Sequence, residues 1–541
     1  MRIILLSFLR RLSVIGLRQI ATSLLANGHV PIIVFADGSQ IAQKRLVSAL
    51  AQSIAQLNPD LIGINVYTNH APLATEITSI LRDSNNCPII WGGPHPSAVS
   101  ELCLQSADYV CIGEGEISLV QMVNSLSDNY SLKSEIHGIR SRYTPAYQRQ
   151  HFSISANLDD LPIPQWLGYE QYVWRNHGLK LLDHREIPGL LDYKYDIVTS
   201  RGCPFSCSYC YNSQIRQVIK SNDNCSSYMR RRSIDHVIRE LEIAIQKFPQ
   251  INFVNFWDDC FTMDINYLES FSAEYMNRIG LPFYCLSRFE FLTDTAIEVL
   301  QRAGLVSIQI GVQTAGLNAL RLFKRCLPPQ NDIDRVARTL QKFGIHCIYD
   351  VIVNNPFESI DEVEKTVRFF LQLPAPFQVN GWDLCFLPGT ELEAKALSEG
   401  YIEPARTNKL SQLLFSNINS PILFPFHDQL PSGPYVCLYN QENKRYLNAI
   451  LAMLSSWPKK FIKLLYYGRN VVPLQLLQWL WKRDILVCNP THRCDTRRAQ
   501  AEGLLDLAAA GQKELAARLV FELKHEKNVT DDVKKICNNL V

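Results

Sequence analysis

Three cysteines near the middle of the chain have a spacing that could hold a metal cluster. Cys203, Cys207 and Cys210 lie within eight residues, in the pattern Cys-x₃-Cys-x₂-Cys. A loop of this length lets three thiolates wrap one face of an iron–sulfur cube. A structural zinc site needs four ligands, and no fourth Cys or His lies close by in the sequence. The spacing therefore predicts a 4Fe-4S cluster that leaves one iron without a protein ligand.

The surroundings of these cysteines resemble the cluster-binding loop of radical S-adenosylmethionine (SAM) enzymes. A predicted strand that begins at Tyr195 runs into the loop, and Tyr209 is the aromatic residue just before the last cysteine. The resemblance implies that the amine and carboxylate of SAM chelate the open iron. It also implies that one electron from an external flavodoxin-like or ferredoxin-like reductant leads to cleavage of SAM to a 5′-deoxyadenosyl radical. The protein must position these cofactors and keep water and oxygen away.

Strands and helices alternate after the cysteine loop. The predicted strands occupy residues 253–257, 282–286, 306–310, 347–353 and about 381–386. Ser233 can cap the helix before the first of them, because a serine side chain accepts a hydrogen bond from the first helical turn. The resemblance implies that these elements form a partial (β/α)₆ radical SAM barrel over residues 191–405. Polar residues follow the strands, at the ends where a barrel carries its active site.

Some of these strand-end residues could bind SAM. We expect Asp258 or Asp259 to accept hydrogen bonds from the amine, with a helix cap as the alternative role. Arg288 can pair with the carboxylate, and Gln313 can bind the ribose hydroxyls. Two departures from the family's pattern lie near the nucleoside half of SAM: Gln313-Thr314 stands where the family more often has Glu-Ser, and residues 354–359 replace Gly-x-Pro-Gly-Glu-Thr. The contacts to the nucleoside therefore stay open.

A separate alternation of strands and helices fills the first 130 residues. The predicted strands occupy residues 3–6, 30–35, 61–66, 88–91 and 109–112, and the predicted helices occupy 17–25, 46–57, 73–81 and a segment that ends near 126. Such βα units predict a doubly wound, Rossmann-like parallel sheet with right-handed crossovers, over residues 1–150. Ligands of such sheets bind outside the carboxyl ends of the strands.

Three segments at these strand ends are candidates for a cofactor cleft. Glycine lets the backbone approach a large planar or anionic ligand, and a helix N-terminus follows each segment. One such segment alone would be read as a tight βα turn, but three at one sheet edge favour a cleft. The candidate residues are Tyr67, Thr68, Gly92, Gly93, His95, Gly113, Glu114, Gly115 and Glu116. No Gly-x-Gly-x-x-Gly follows the first strand, which argues against a dinucleotide site.

This region resembles the cobalamin-binding domain that precedes many radical SAM enzymes. The likeness lies in residues 92–96, 107–110 and 113–116. The usual signature Asp-x-His-x-x-Gly, whose histidine ligates cobalt from below, is absent from the first βα loop. His70 is the nearest histidine that a strand end could present, but we interpret it as a solvated loop histidine.

The remaining segments carry less chemistry. Residues 151–190 are polar and rich in proline, and we expect them to be the interdomain linker. Residues 406–541 contain candidate helices, which predict a mostly helical C-terminal domain that caps the barrel. Arg230, Arg231 and Arg232 form a basic run that we interpret as a solvated helix entry.

Composition narrows the class of protein. The chain has 541 residues, 47% of them hydrophobic, and its formal net charge of +2 gives no reason to expect a nucleic acid partner. The 16 cysteines are too few for a disulfide-rich secreted scaffold, so we expect a reducing cytoplasm. The sequence shows neither a secretory signal nor an apolar stretch long enough to span a membrane.

Together, the two resemblances imply a cobalamin-dependent radical SAM enzyme, most simply a methyltransferase. Such an enzyme would methylate an unactivated carbon of a small-molecule substrate through methylcobalamin, with a second SAM as the source of the radical. A cyclisation or rearrangement with the same cofactors is the first alternative. A non-catalytic corrinoid-binding or metal-binding protein is the alternative from another class.

Overall fold

The computed structural model contains two sheets. It describes residues 1–402 and 435–438, apart from 10–11, 42–43, 85–86, 130–134, 144–151, 192, 221–227, 354 and 375–376. The strands of the first sheet are β1 (Arg2–Ser7), β2 (Val30–Phe35), β3 (Leu61–Asn65), β4 (Ile89–Gly92), β5 (Tyr109–Cys111), β6 (Ile139–Ser141), β7 (Glu170–Arg175) and β8 (Gly178–Leu181). Their order is β6-β5-β4-β3-β1-β2-β7-β8. All neighbours are parallel except at the edges, where β6 and β8 run antiparallel to β5 and β7.

Helices cover both faces of this sheet, which confirms the predicted doubly wound architecture. They are α1 (Ile15–Ala26), α2 (Gly38–Ile41), α3 (Lys44–Ala55), α4 (Ala71–Ser84), α5 (Pro94–Ala98), α6 (Ser100–Cys103) and α7 (Gly115–Asn129). Successive residues of β1 point to opposite faces, so Ile3 packs in the core with α1 and α7 while Ile4 packs in the core with α3 and α4. Because both faces are covered, β1 is apolar along most of its length.

Residues 151–190 do more than connect two domains. Strand β7 pairs in parallel with β2, and β8 completes a hairpin with β7, so this part of the predicted linker belongs to the first sheet. Arg18 of α1 holds it in place: the guanidinium lies 3.6 Å from the ring centroid of Trp166 and donates to the side chain of Gln171 at 3.0 Å. Such contacts join residues far apart in the chain, and the local proline content does not reveal them. The domain boundaries themselves stay a prediction.

The second sheet forms the partial barrel that the sequence predicted. Its strands are β9 (Lys194–Ile197), β12 (Phe253–Phe256), β13 (Phe283–Ser287), β14 (Leu305–Gln313), β15 (His346–Val353), β16 (Phe377–Asp383) and β17 (Tyr435–Leu438), and β10 (Ser200–Arg201) and β11 (Arg230–Arg231) form a separate ribbon. The order β17-β16-β15-β14-β13-β12-β9 places six parallel strands in sequence order, with β17 antiparallel to β16. Two barrel strands differ from their predicted ranges by more than one residue: β14 continues through Gln313, and β16 both begins and ends earlier in the chain.

Helices follow the barrel strands and cover their outer face. They are α8 (Ile187–Leu190), before β9, and then α9 (Tyr211–Lys220), α10 (Ile234–Lys247), α11 (Ile265–Arg278), α12 (Asp294–Ala303), α13 (Leu317–Leu322), α14 (Gln330–Lys342), α15 (Ile360–Gln372) and α16 (Glu391–Ser398). The predicted cap of α10 is confirmed, since the Ser233 hydroxyl accepts the backbone N–H of His236 at 3.2 Å. None of the helices within the described residues is long and apolar enough to cross a membrane.

The helices expected between 446 and 525 lie outside the described residues. Of the region beyond 405, the structure describes only β17, a strand that the sequence did not predict.

Candidate functional site

The three cysteines lie in the loop between β10 and α9, at the carboxyl end of the barrel sheet. Gly202 enters the loop with φ of +96°, and a Cβ there would lie 2.4 Å from the carbonyl oxygen of Tyr228, so only glycine fits. The backbone N–H of Cys210 donates to the carbonyl of Cys207 at 3.1 Å. The backbone of Ser208 donates to Phe323 and accepts from Leu392, which fixes the loop to two other barrel connections.

The chemistry of these thiols fits an iron–sulfur cluster. All three are free, and Cys203 and Cys207 each lie within electrostatic range of Cys210. Burial raises the pKa of Cys203 to about 11 and that of Cys210 to about 12, so the thiolates need bound cations to form. Within the described ranges, no group of three His, Cys, Asp or Glu side chains could hold a single metal ion. Cluster cysteines need not converge on one ion, because each binds a different iron.

Arg325 is a cation beside the cysteine loop that the sequence did not single out. One guanidinium nitrogen lies 3.5 Å from Cys207 Sγ and 3.3 Å from the Tyr209 hydroxyl. The other donates to the carbonyl of Gly311 in β14 at 2.5 Å. The ring of Tyr209 packs edge-on against Phe323, with centroids 4.9 Å apart. No spacing in the sequence signals Arg325, because only the fold brings it to the loop.

The two aspartates after β12 have different environments. Asp258 is 1% exposed, and its carboxylate accepts the backbone N–H of Thr199 at 3.1 Å and the hydroxyls of Thr199 and Ser200. Asp259 lines a cavity and is accessible from it, while the surrounding protein raises the pKa of its carboxyl to about 6. Asp264, not either of these residues, caps α11. The structure thus narrows the expected contact with the SAM amine to Asp259.

Arg288 lies directly after β13, as expected from the sequence. It is 6% exposed, stacks 3.5 Å from the ring centroid of Phe205 in the cysteine loop, and pairs with Glu290. Because Glu290 is exposed, a ligand carboxylate could replace it on the guanidinium with little loss of buried contact.

The two departures from the family's pattern contact each other. Gln313 ends β14 with φ of +70°, which is rare outside glycine, and it follows a register shift between β14 and β15. The next residue, Thr314, donates its hydroxyl to Glu358 at 2.6 Å. Glu358 is 6% exposed, and burial raises the pKa of its carboxyl to about 7. Thr314 and Glu358, one from each departure, are therefore joined by a buried hydrogen bond.

A cavity of about 870 Å³ separates the two sheets at the carboxyl ends of β3, β4 and β5. It lies where the sheet order reverses between β1 and β3, which is the usual position of a ligand in a doubly wound sheet. Among its lining residues are Tyr67, Gly92, Gly93, Gly113, Glu114, Gly115, Glu116, Arg201, Gly202 and Asp259.

Glycines shape the wall of this cavity. A Cβ on Gly93 would lie 2.5 Å from Asn65 Oδ1, and one on Gly113 would lie 2.3 Å from the carbonyl of Ser153. Apolar side chains such as Leu5 and Ile90 form its floor. Glycines in the wall, an apolar floor and a polar rim suit a large planar cofactor such as a corrin ring.

Thr68 and His95, two of the predicted cofactor residues, contact each other outside the described cavity lining. The described lining includes neither residue, and nor does it include His70. The Thr68 hydroxyl lies 3.3 Å from His95 Nδ1 and 2.5 Å from the hydroxyl of Tyr211, the residue after the last loop cysteine. Burial lowers the pKa of His95 to about 4, so the imidazole is neutral. His70 is half-buried and packs edge-on against Phe8, so the interpretation of His70 as a solvated loop histidine is wrong.

Glu114 and Glu116 bind arginines rather than standing free at the strand end. Arg201 lies 2.7 Å from Glu116 Oε1 and 3.2 Å from Glu114 Oε2, and Arg230 lies 2.7 Å from Glu114 Oε1. Burial alone would raise the pKa of the Glu114 carboxyl, but Arg201 and Arg230 hold it below its usual value. The expectation that Glu114 binds a cofactor is therefore not supported by its contacts.

The interpretation of residues 230–232 as a solvated helix entry is wrong. Arg230 and Arg232 are each 8% exposed. Arg232 pairs with Glu240 at 2.5 Å, and Arg231 lies 4.2 Å from the ring centroid of Tyr267. Each guanidinium finds a partner on another element, and no local pattern could show that.

The inner face of the barrel sheet is polar. Ile308 and Ile310 of β14 pack against the helices, so Gln309 between them faces inward. Gln309 Nε2 donates to Asp350 Oδ2 at 2.5 Å, and Trp382 Nε1 donates to Asp350 Oδ1 at 3.0 Å. Barrel interiors are usually filled by branched apolar side chains, so this polar row is available for recognition of a ligand.

Comparison with known proteins joins these two sites to one family. Residues 1–123 match the family model of the B12 binding domain, and residues 197–370 match that of the radical SAM superfamily. The chain belongs to the cobalamin-dependent radical SAM enzymes. Its cofactors are therefore a 4Fe-4S cluster, SAM and cobalamin, as expected from the cysteine loop and the glycine-rich strand ends.

Relatives of this enzyme include methyltransferases and cyclases. It is 27% identical over 366 residues to the uncharacterized methyltransferase PH0819 of Pyrococcus horikoshii, which covers 66% of this chain and 73% of that one. It is 21% identical over 339 residues to the anaerobic magnesium-protoporphyrin IX monomethyl ester cyclase of Cereibacter sphaeroides, covering 59% of this chain and half of that one.

A solved structure shares the fold. The radical SAM methyltransferase TsrM of Kitasatospora setae, solved with its tryptophan substrate and a SAM analogue, superposes with a TM-score of 0.58 at 16% identity. The match covers 74% of this chain and 76% of that one.

Proposed function

We propose that this radical SAM enzyme is a methyltransferase that methylates an unactivated carbon of a small molecule. The observation that carries the proposal is the cavity between the two sheets, which residues of both domains line. Reactive groups gain most when a protein holds them in one water-excluded space. The similarity to PH0819 and to TsrM supports methyl transfer.

Residues of the cysteine loop and barrel would hold the cluster and SAM. In this proposal Cys203, Cys207 and Cys210 ligate three irons, and Arg325 balances their negative charge. Asp259 accepts hydrogen bonds from the SAM amine, and Arg288 takes the carboxylate in place of Glu290. Gln313 and Tyr209 line the nucleoside side. When bound, the cluster and SAM supply a radical that removes a hydrogen atom, and cobalamin supplies the methyl group.

The inward polar row of the barrel would bind the substrate. Asp350 has its two oxygens oriented by Gln309 and Trp382, and Trp382 is 46% exposed. An aromatic surface beside an oriented carboxylate suits a substrate with an N–H donor or a cationic group. Arg325 connects this polar row to the cysteine loop. Its guanidinium contacts both Cys207 and the carbonyl of Gly311, and Gly311 is the neighbour of Asp350 in the sheet.

An anaerobic assay with methyl-labelled SAM tests the proposal. The purified enzyme, with a flavodoxin-like or ferredoxin-like reductant, would be incubated with extract of the native host, and label would be followed into products. A product heavier than its precursor by one methylene unit is expected, and it should be missing with the Cys203→Ala variant. Labelled product that still forms with that variant would contradict the role of the cluster.

A cyclisation with the same cofactors is the second candidate, because several relatives are named as cyclases. Product mass separates the two outcomes: a product lighter than its precursor by hydrogen atoms, with no label, supports cyclisation and contradicts methyl transfer.

The non-catalytic role that the sequence left as an alternative has no support from the comparisons, because residues 197–370 match the radical SAM superfamily. It predicts that reconstituted protein with SAM and dithionite forms no 5′-deoxyadenosine. Formation of that product above the level of the Cys203→Ala control would exclude it. We also propose a cytoplasmic location, since the cluster requires a reducing, oxygen-poor compartment.

A further inference from the structure

A buried ion-pair network lies between the cavity and the cysteine loop. Arg201 stands two residues before Cys203, and its two guanidinium nitrogens reach Glu116 at 2.7 Å and Glu114 at 3.2 Å. Glu114 lies in the loop after β5 and Glu116 in the first turn of α7, both in the first domain, whereas Arg201 ends β10 beside the barrel. The network therefore joins the wall of the cofactor cavity to the entry of the cluster loop.

A second arginine fixes the first glutamate. Strands β10 and β11 place Arg201 opposite Arg230, and Arg230 donates to both oxygens of Glu114, at 2.7 and 3.0 Å. The same carboxylate accepts the backbone N–H of Ser155 at 2.7 Å, so its hydrogen-bonding capacity is used within the protein. Arg230 is 8% exposed, and a buried charge of this kind is strongly destabilising if its partner is removed.

Glu116 differs from Glu114 because one of its oxygens has no partner. Glu116 is 5% exposed and lines the cavity, and its Oε2 is buried without a hydrogen-bond donor among the described residues. A buried acceptor that lacks a donor destabilises the folded protein. Native proteins rarely leave such an atom unsatisfied, so it points to a ligand that supplies an N–H or O–H.

Cobalamin has suitable donors, since primary amide side chains surround its corrin ring. We propose that Glu116 accepts an amide N–H of cobalamin through Oε2 while Oε1 holds Arg201, so that binding of cobalamin fixes the entry of the cluster loop at Cys203. Glu116 and Arg201 are then positioning residues that act between the two cofactors. The inference rests on the proposed cobalamin site in the cavity.

This arrangement predicts coupling between the two cofactors. If cobalamin favours the loop position that binds the cluster, the cluster must raise the affinity for cobalamin by the same factor, because coupling of two binding sites is reciprocal. Coupling of this kind is commonly about tenfold. Breaking the link should remove the coupling without removing either site.

The test measures cobalamin affinity of the full chain by its absorbance, in cluster-free and in cluster-reconstituted protein. Wild-type protein should bind hydroxocobalamin about tenfold more tightly when the cluster is present. In Arg201→Ala the ratio of the two affinities should fall to about one. Arg201→Lys should give an intermediate ratio, because lysine keeps the positive charge but cannot contact both glutamates with one planar group. If Arg201→Ala fails to take up the cluster, the affinity ratio can be measured in Glu116→Gln, where it should also fall to about one.

A second readout is independent of the cluster. In cluster-free protein, hydroxocobalamin should slow the alkylation of Cys203 by iodoacetamide, followed by mass spectrometry, and Arg201→Ala should lose this protection. Glu101→Gln is the matched control: Glu101 pairs with Arg140, which is 8% exposed, in the same domain but outside the described cavity lining. It should keep both the affinity ratio and the protection.

Four outcomes would overturn the inference or its basis. An affinity ratio near one in the wild-type protein, or a ratio that stays near tenfold in both Arg201→Ala and Glu116→Gln, would refute the coupling. Protection of Cys203 that persists in Arg201→Ala would show simple shielding by cobalamin. Failure of the wild-type protein to bind hydroxocobalamin at all would instead refute the proposed cofactor site.

Discussion

Asp258 and Asp259 are neighbours in the chain, and their asparagine variants should behave differently. Asp258 is buried and accepts one backbone N–H and two hydroxyls from Thr199 and Ser200. Asparagine keeps one acceptor oxygen but turns an N–H₂ group toward these donors. About two charge-assisted hydrogen bonds are lost, which corresponds to about 3–5 kcal/mol of unfolding free energy. For a domain of this size, the melting temperature should fall by about 10 °C.

Asp259→Asn is the matched variant. Asp259 is accessible from the cavity, and its carboxylate accepts a side-chain hydrogen bond from Asn212. Replacing the carboxylate by an amide in Asp259→Asn should therefore change the unfolding free energy by less than about 1 kcal/mol. If Asp259 accepts the SAM amine, its replacement should weaken SAM binding by about tenfold or more, because a hydrogen bond between charged groups contributes about 1.5–3 kcal/mol.

Two assays separate these effects. Thermal unfolding of cofactor-free protein measures the stability of each variant, and anaerobic equilibrium dialysis of reconstituted protein measures SAM affinity. We expect Asp258→Asn to melt at a lower temperature than the wild type, and Asp259→Asn to bind SAM more weakly. The reasoning is refuted if Asp258→Asn melts with the wild type, or if Asp259→Asn binds SAM as tightly as the wild type.

Three further predictions concern the cluster, a buried acid and a strand-end glycine. The loop-cysteine variants Cys203→Ala, Cys207→Ala and Cys210→Ala should lose cluster absorbance and 5′-deoxyadenosine formation. The control variant Cys87→Ala, in the first domain, should keep both. Burial raises the pKa of Glu358 from 4.5 to about 7, so its ionisation destabilises the fold as pH rises through this range. The unfolding free energy of Glu358→Gln, measured by thermal unfolding, should therefore rise relative to that of the wild type by up to about 3 kcal/mol between pH 5 and 8. A difference between the two proteins that does not change with pH would contradict the raised pKa. Gly113→Ala should lower the unfolding free energy by about 3 kcal/mol, because φ is +91° and the added Cβ would clash with the backbone of Ser153. Gly178→Ala is the control, because its Cβ would meet no atom within 4 Å. Equal melting temperatures of the two variants would refute the prediction.

Local patterns in the sequence predicted the doubly wound sheet and the cluster loop, and the family resemblance added the partial barrel. Buried strands of a parallel sheet are continuous apolar runs, so β1 and β2 could be located within a residue or two. The three loop cysteines are close in sequence, so their spacing already restricts them to one metal cluster. The same reasoning failed for 170–181, because pairing of β7 with β2 depends on contacts across more than a hundred residues.

The amino-acid sequence by itself therefore determined the cluster loop and the motifs whose resemblance to known families implies SAM and cobalamin, since thiolate spacing and glycine-rich strand ends are properties of short segments. Only the tertiary structure decided which charged residues are free to contact those cofactors. Asp258 is satisfied within the protein while Asp259 opens to the cavity, and Arg201 meets Glu116 across 85 positions of the chain. The physical reason is that a charged side chain takes its role from its partners, and those partners are brought together by the packing of the two domains.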